Sequence, residues 1–240
     1  MATERTQTAL PQTRLKDESD EYLAKREELR LAEIELDRTR ERVAGLRRHL
    51  PQGPVVRDYV FEEGPARLED GDSPVRTVRL SELFTAPDRA LLIYHFMYGK
   101  KQTKACPMCT YLIDSLNGSA HHIAQKVDMA IVAAADPKTL RDHARARGWH
   151  NLRLLSAGES TFKHDLASED EQGRQDSAMS IFTKGPDGSV RHFYTGHPWL
   201  SEKGERGLDL LSPVYHVLDY TPQGRGDWYA SLDYGVEVPR

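Results

Sequence analysis

The sequence predicts an α/β fold, a central mixed sheet flanked by helices and preceded by one long amphipathic helix. Three observations predict it. From Ala90 onward, short apolar runs rich in β-branched residues alternate with helix-length segments, the order that builds parallel strands with helices on the sheet faces. Two later runs, Ala178 to Lys184 and Ser189 to Thr195, flank Gly185-Pro186-Asp187-Gly188 and read as an antiparallel hairpin. Ahead of both, Tyr22, Leu29, Leu36, Val43 and Leu50 recur every seven residues, the stripe of an amphipathic helix.

That first helix is expected from about Glu21 to Leu50, with Asp17, Ser19 or Asp20 as N-cap and Pro51, Gly53 and Pro54 as the stop. Ala32 and Leu46 fill interleaved positions of the stripe, but Lys25 and Thr39 interrupt it. Its apolar face needs a cover, either its own domain or the same helix of a twin subunit, which would make a homodimer. Met1 to Lys16 lack apolar periodicity and read as a mobile tail.

After the prolines the pattern turns β-like. Val55 to Phe61 and Val75 to Leu80 are expected strands of a leading hairpin, followed by one helical turn at Ser81 to Phe84. Ala90 to Met97 (ALLIYHFM) is the most apolar run and reads as the central buried strand. A loop, Gly99 to Ala105, leads to a helix from Cys106 to about Gln125. Then come a strand at Asp128 to Ala134, a helix at Pro137 to Arg147 and a short strand at Asn151 to Leu155. Glu159 to Gln175 reads as a polar loop or short helices, and Leu208 to Leu218 as a final helix despite Pro213. The expected division is a tail at 1–18, a helix at 19–52, the α/β domain at 53–222 and a loose tail at 223–240.

Composition narrows the function. The 240 residues are 38% hydrophobic and 29% charged, with a formal net charge of -4; the sequence pI is near 6.2 and the mean hydropathy -0.64. A chain of this length buries a substantial core, and its acidic balance offers no excess of cations for nucleic acid. The opening MATERTQTALPQTRL has no signal-like apolar stretch, and no run of about 18 apolar residues occurs, so no membrane partner and a cytoplasmic location are expected. No GxSxG, P-loop, HExxH or dinucleotide glycine pattern is present, which removes support for hydrolase, NTPase and Rossmann chemistry.

Cys106 and Cys109 are the two cysteines of the chain. They form a CxxC at a strand-to-helix junction inside a βαβ pattern, where unsatisfied helix N–H groups face the first sulfur and favour its thiolate. Three residues along a helix place both sulfurs on one face, so Cys106 can attack a substrate and Cys109 can resolve the mixed disulfide. Pro107 suits the first helical position because its missing N–H has no intrahelical partner there. Met108 completes the motif, and Tyr94 and His95 lie on opposite faces of the strand leading to it. Lys100, Lys101 and Lys104 either add positive potential or are solvated loop lysines. The competing reading is a zinc or copper site made from Cys106, Cys109 and a histidine such as His95, His121, His122 or His197. His121 and His122 lie more than two turns beyond the dithiol, and His95 in a central strand fits a hydrogen-bonded core residue. A third reading is an interaction protein acting through its long helix. Trp149, after Gly148, is expected to plug the core.

The segments RDYVFEE, VRLSELF, LLIYHFMYG, ACPMCTYLIDSLNG, RARGW and RGLDLLSPVYHVLDYTPQGRG resemble a domain-of-unknown-function family of predicted dithiol-disulfide oxidoreductases, related to peroxiredoxin-type alkyl hydroperoxide reductases. The resemblance covers most of the chain. It implies a thioredoxin-like fold with Cys106 and Cys109 as the redox pair, supported by Pro107, Met108 and Tyr94, and no prosthetic group. The implied substrate is a disulfide, a peroxide or a small oxidised metabolite, the partner being a small-molecule or protein thiol or disulfide. One departure stands out. Thioredoxins carry a cis-proline before the strand facing the dithiol, where this chain has Asp176-Ser177-Ala178-Met179; that shifts weight from protein-disulfide exchange toward a small-molecule substrate or a metal.

Overall fold

The computed structural model describes residues 15–200, 202 and 204–234, which fall into two compact units, Met1–Leu50 and Pro51–Arg240. The expected tail at 1–18 lies mostly outside the described residues, as does the end of the tail at 223–240. In the first unit, α1 spans Asp20–Arg48, capped by Ser19, whose hydroxyl accepts the N–H of Tyr22 at 3.1 Å. Asp20 and Glu21 in its first turn and Arg47 and Arg48 in its last complement the helix dipole. Ion pairs Lys25–Glu28 and Arg30–Glu27, at 2.8 and 2.6 Å, line its surface.

The second unit holds β1 (Val60–Glu63), β2 (Arg76–Arg79), β3 (Ala90–His95), α2 (Pro107–Ile123), β4 (Val127–Ala133), α3 (Pro137–Arg147), β5 (Arg153–Ser156), α4 (Phe162–Asp165), β6 (Ala178–Lys184), β7 (Val190–Gly196) and α5 (Val214–Asp219). One seven-stranded sheet runs β2-β1-β5-β4-β3-β6-β7. β3, β4 and β5 are parallel, with Ile93 opposite Ala130 and Ile131 opposite Leu154. β6 and β7 form the antiparallel hairpin, and β1 pairs antiparallel with both β2 and β5. This is the mixed, helix-flanked sheet of the thioredoxin-like class.

β3 is apolar on both faces because it is covered on both. Leu91, Ile93 and His95 pack toward Phe61, Phe162 and Phe182, whereas Leu92, Tyr94 and Phe96 pack toward Ile113, Leu116 and Trp149. Each fully buried large apolar side chain contributes about 1.5–3 kcal/mol. Among the described residues, no helix is long and apolar enough to cross a membrane.

Two expected elements are corrected. The strand at Val55 to Phe61 shrinks to Val60–Glu63: Val55 makes one bridge to Arg191 at the edge of β7, and the chain then brings Tyr59 edge-on to Phe162, 5.1 Å away. Around that bridge the Pro54 carbonyl accepts from His192 at 3.0 Å and the Val56 N–H donates to Val190 at 2.9 Å, a pairing with β7 that ends before β1 begins. The final helix is broken into a 3₁₀ turn, Asp209–Leu211, and α5. Pro213 lacks the N–H that would continue a helix from Leu208, so it starts α5 instead.

Trp149 is completely buried, and its indole N–H donates to Asp114 of α2 at 2.7 Å. The ring stands edge-on to Phe96 at 5.7 Å, while Asp114 also pairs with Arg147 at the end of α3. One side chain therefore joins the dithiol helix, the end of α3 and the strand extension at Phe96. In urea unfolding, Trp149→Ala is expected to lose about 3–5 kcal/mol and Asp114→Ala about 1–3 kcal/mol. Unchanged midpoints would remove this clamp from the description.

Candidate active site

The loop from β3 to α2 is held so that the dithiol returns over the end of the strand. Phe96 donates its N–H to the Val132 carbonyl at 2.8 Å, and the Tyr98 carbonyl accepts from both Ala134 and Ala135 at 3.0 Å. Gly99 makes this contact possible. Its φ is +97°, and a Cβ there would lie 2.0 Å from the Ala135 nitrogen, a position closed to any other residue. Gly99 and Gln102 then exchange backbone hydrogen bonds at 2.8 and 3.0 Å, and Cys106 N–H closes the loop on the Met97 carbonyl at 3.2 Å.

Cys106 is the N-cap of α2, with Pro107 at the first helical position. Its sulfur accepts the backbone N–H of Cys109 at 3.5 Å. The Cys109 thiol donates to it as well, and with the N–H groups of Cys109 and Met108 this outweighs burial and brings the Cys106 pKa down to about 7. Cys109 goes the opposite way. It is fully buried, and burial together with the neighbouring Cys106 sulfur pushes its thiol well above the usual range. The two sulfurs are not bonded to each other, and the pair holds one sulfur ready as a thiolate and the other as its hydrogen-bonded, protonated partner.

Two further buried polar groups bear on Cys109. The Tyr94 hydroxyl, wholly buried and without a regular hydrogen bond among the described residues, lies beside the Cys109 sulfur and Ser177; burial and the sulfur keep it protonated. Lys163 on α4 is 1% exposed, and its ammonium donates to the Phe96 carbonyl at 3.1 Å. Burial lowers its pKa to about 8, and Cys109 is the strongest influence holding the proton on. Nothing in the polar stretch Glu159 to Gln175 distinguishes Lys163 from its neighbours; the spacing of Phe162 and Leu166 marks a helical turn but not the direction its lysine takes.

The other sequence candidates are not brought to the sulfurs. His95 lies on the opposite face of the sheet, stacked on Phe162, with its ring nitrogens engaged by Ser180 at 2.9 Å and Ser168 at 2.8 Å. It is the hydrogen-bonded core residue, not a third ligand. His121 and His122 are exposed in the last turn of α2, and His197 lines a cavity of about 290 Å³ with Tyr59 and Asp165. Among the described residues, no group of three or more His, Cys, Asp or Glu side chains is placed to hold a metal ion. The loop lysines serve the 169–172 segment: Lys100 bonds Glu169 at 2.9 and 3.1 Å and Lys101 bonds the Gln172 carbonyl. Met108 is buried within the core cluster that holds both cysteines.

Comparison with known proteins places the chain. No curated protein matches it. Reduced Prx3 of Vibrio vulnificus in complex with H2O2 is 16% identical, over 68% of this chain and 99% of that one, with a TM-score of 0.45. A putative thioredoxin reductase of Burkholderia cenocepacia is 14% identical, over 68% and 98%, at 0.46. The reduced 2-Cys peroxiredoxin of Plasmodium vivax is 15% identical, over 70% and 99%, at 0.44. A family model described as bacterial protein of unknown function (DUF899) matches residues 11–234, nearly the whole chain, and the protein therefore belongs to the DUF899 family.

Proposed function

We propose that the chain is a dithiol-disulfide oxidoreductase in which Cys106 attacks and Cys109 resolves. The observation that carries this reading is the opposed state of the two sulfurs: Cys106, lowered to about 7, accepts from Cys109, which is buried and raised. A metal-binding or purely structural pair has no use for such asymmetry, whereas thiol exchange needs one nucleophile and one reserve.

The electrons balance as follows. The Cys106 thiolate attacks one sulfur of a disulfide, forms a mixed disulfide and expels the other half as a thiolate. Cys109 then loses its proton and attacks the Cys106 sulfur, giving the Cys106–Cys109 disulfide and releasing the second thiolate. The substrate gains two electrons, the protein loses two, and an external thiol reductant returns the pair. A hydroperoxide enters by the same nucleophile: Cys106 attacks its terminal oxygen, the O–O bond breaks, the other oxygen takes a proton and leaves as an alcohol or water, Cys106 becomes a sulfenic acid, and Cys109 displaces water from it to close the disulfide.

Lys163 is the proton acceptor for Cys109 in this scheme. Its burial keeps a neutral amine within reach of ordinary pH, and the thiolate it would generate is stabilised by the ammonium that results. Tyr94 supplies a hydrogen-bond donor to the same sulfur.

Two outcomes are expected. Cys106→Ser abolishes turnover, while Cys109→Ser accumulates a mixed disulfide visible as an added mass on the intact protein; full activity in both variants rejects the dithiol cycle. In single-turnover kinetics, Lys163→Met leaves the first step unchanged and slows the resolving step about 100-fold. Because the neutral amine is the base, the wild-type resolving rate rises with pH up to about 8 and then levels off. The variant loses that inflection; if it keeps the inflection at full rate, Lys163 is not the acceptor.

A further inference from the structure

Cys106 stands at a helix N-terminus with a lowered pKa, yet it is only 8% exposed. The chain following α5 covers it. Residues 221–234 form no helix or strand, but they are pinned across the start of α2 at three points. Trp228 stands edge-on to Tyr111 at 5.4 Å and to Tyr215 at 5.5 Å. The Arg225 guanidinium lies 4.7 Å from the Tyr215 ring centroid, a contact that helps hold the preceding turn. Ala230, itself buried, donates its N–H to the Met108 sulfur at 3.4 Å. Between Trp228 and Ala230, Tyr229 is 58% exposed and carries its hydroxyl beside the Cys106 sulfur.

We propose that the substrate of the dithiol is a small molecule carrying an S–S or O–O bond, admitted beneath the 225–230 strap, and not a folded protein's disulfide. The proposal rests on the dithiol cycle above and narrows it. Thiolate attack proceeds in line with the bond being broken, so the leaving half must extend away from Cys106 along that line. Here the space outside the sulfur is occupied by Tyr229 and its neighbours, which a small molecule can pass and a disulfide embedded in a protein surface cannot.

The test has an alkylation arm, which needs no turnover, and a turnover arm. On the full-length reduced protein, Cys106 is labelled with N-ethylmaleimide against a maleimide carried on polyethylene glycol, and the ratio is compared with that of a free model thiol. The expected result is about a tenfold bias toward the small reagent, which Trp228→Ala relaxes. In turnover, 2-hydroxyethyl disulfide is reduced, while insulin is reduced about tenfold more slowly or not at all. Model-thiol ratios in the wild-type protein, or insulin reduced as fast as 2-hydroxyethyl disulfide, would overturn the proposal. Biased alkylation with neither a disulfide nor hydrogen peroxide reduced supports the roof and strikes the dithiol cycle.

Discussion

The first turn of α2 has to serve two sulfurs in opposite ways, and most of the second unit is arranged around that requirement. Free N–H groups at a helix start solvate one atom well, and Cys106 at the N-cap takes that position by accepting from Cys109. A sulfur three residues later lies inside the turn and meets the core, so Cys109 is buried and keeps its proton. A shift of one residue in the helix start would take the first sulfur off its donors. The start is therefore fixed from several directions: Pro107 fits only the first turn, Cys106 N–H is tied to Met97, and Gly99 lets the loop lie directly on the backbone of Ala134 and Ala135.

The interior behind the dithiol departs from what stability alone would select. A hydrophobic side chain in place of Lys163 would spare the protein the burial of an amine, and a phenylalanine in place of Tyr94 would leave no hydroxyl without a regular partner. Tyr94 lies beside Cys109 and Lys163 acts on it through its charge; in the proposed cycle this is the sulfur that gives up its proton. Polar groups that a core tolerates at a cost are concentrated where chemistry uses them. His95 makes the contrast. It is as buried as Tyr94, but Ser168 and Ser180 satisfy both its nitrogens, and it belongs to the packing of the other face.

What the sequence revealed followed from periodicity and from turn chemistry. The run from Ala90 reads as a central strand because a parallel strand covered on both faces has no polar side. Gly185-Pro186-Asp187-Gly188 marks its hairpin because those residues suit a tight turn. The start of α2 was legible for the same local reason, Pro107 following a capping residue. Val55 misled because its β-branched neighbours satisfy strand propensity, while this stretch makes only a brief pairing with the edge of β7 before the chain crosses to β1, a path that local sequence does not encode. Lys163 and Tyr229 were not legible at all. Each reaches the dithiol across a long separation in sequence, through a short helix in one case and an irregular strap in the other. No local pattern encodes where such a side chain ends.

The most direct test of the dithiol cycle is equilibration of the purified protein in a series of thiol-disulfide redox buffers, followed by acid quench, alkylation and mass measurement. If Cys106 and Cys109 cycle as a pair, both thiols disappear together in one two-electron transition within a single chain, and both return on reduction. If one thiol is lost while the other stays free, or if neither is oxidised in any buffer, the two cysteines are not a redox pair and the asymmetry between them has another purpose.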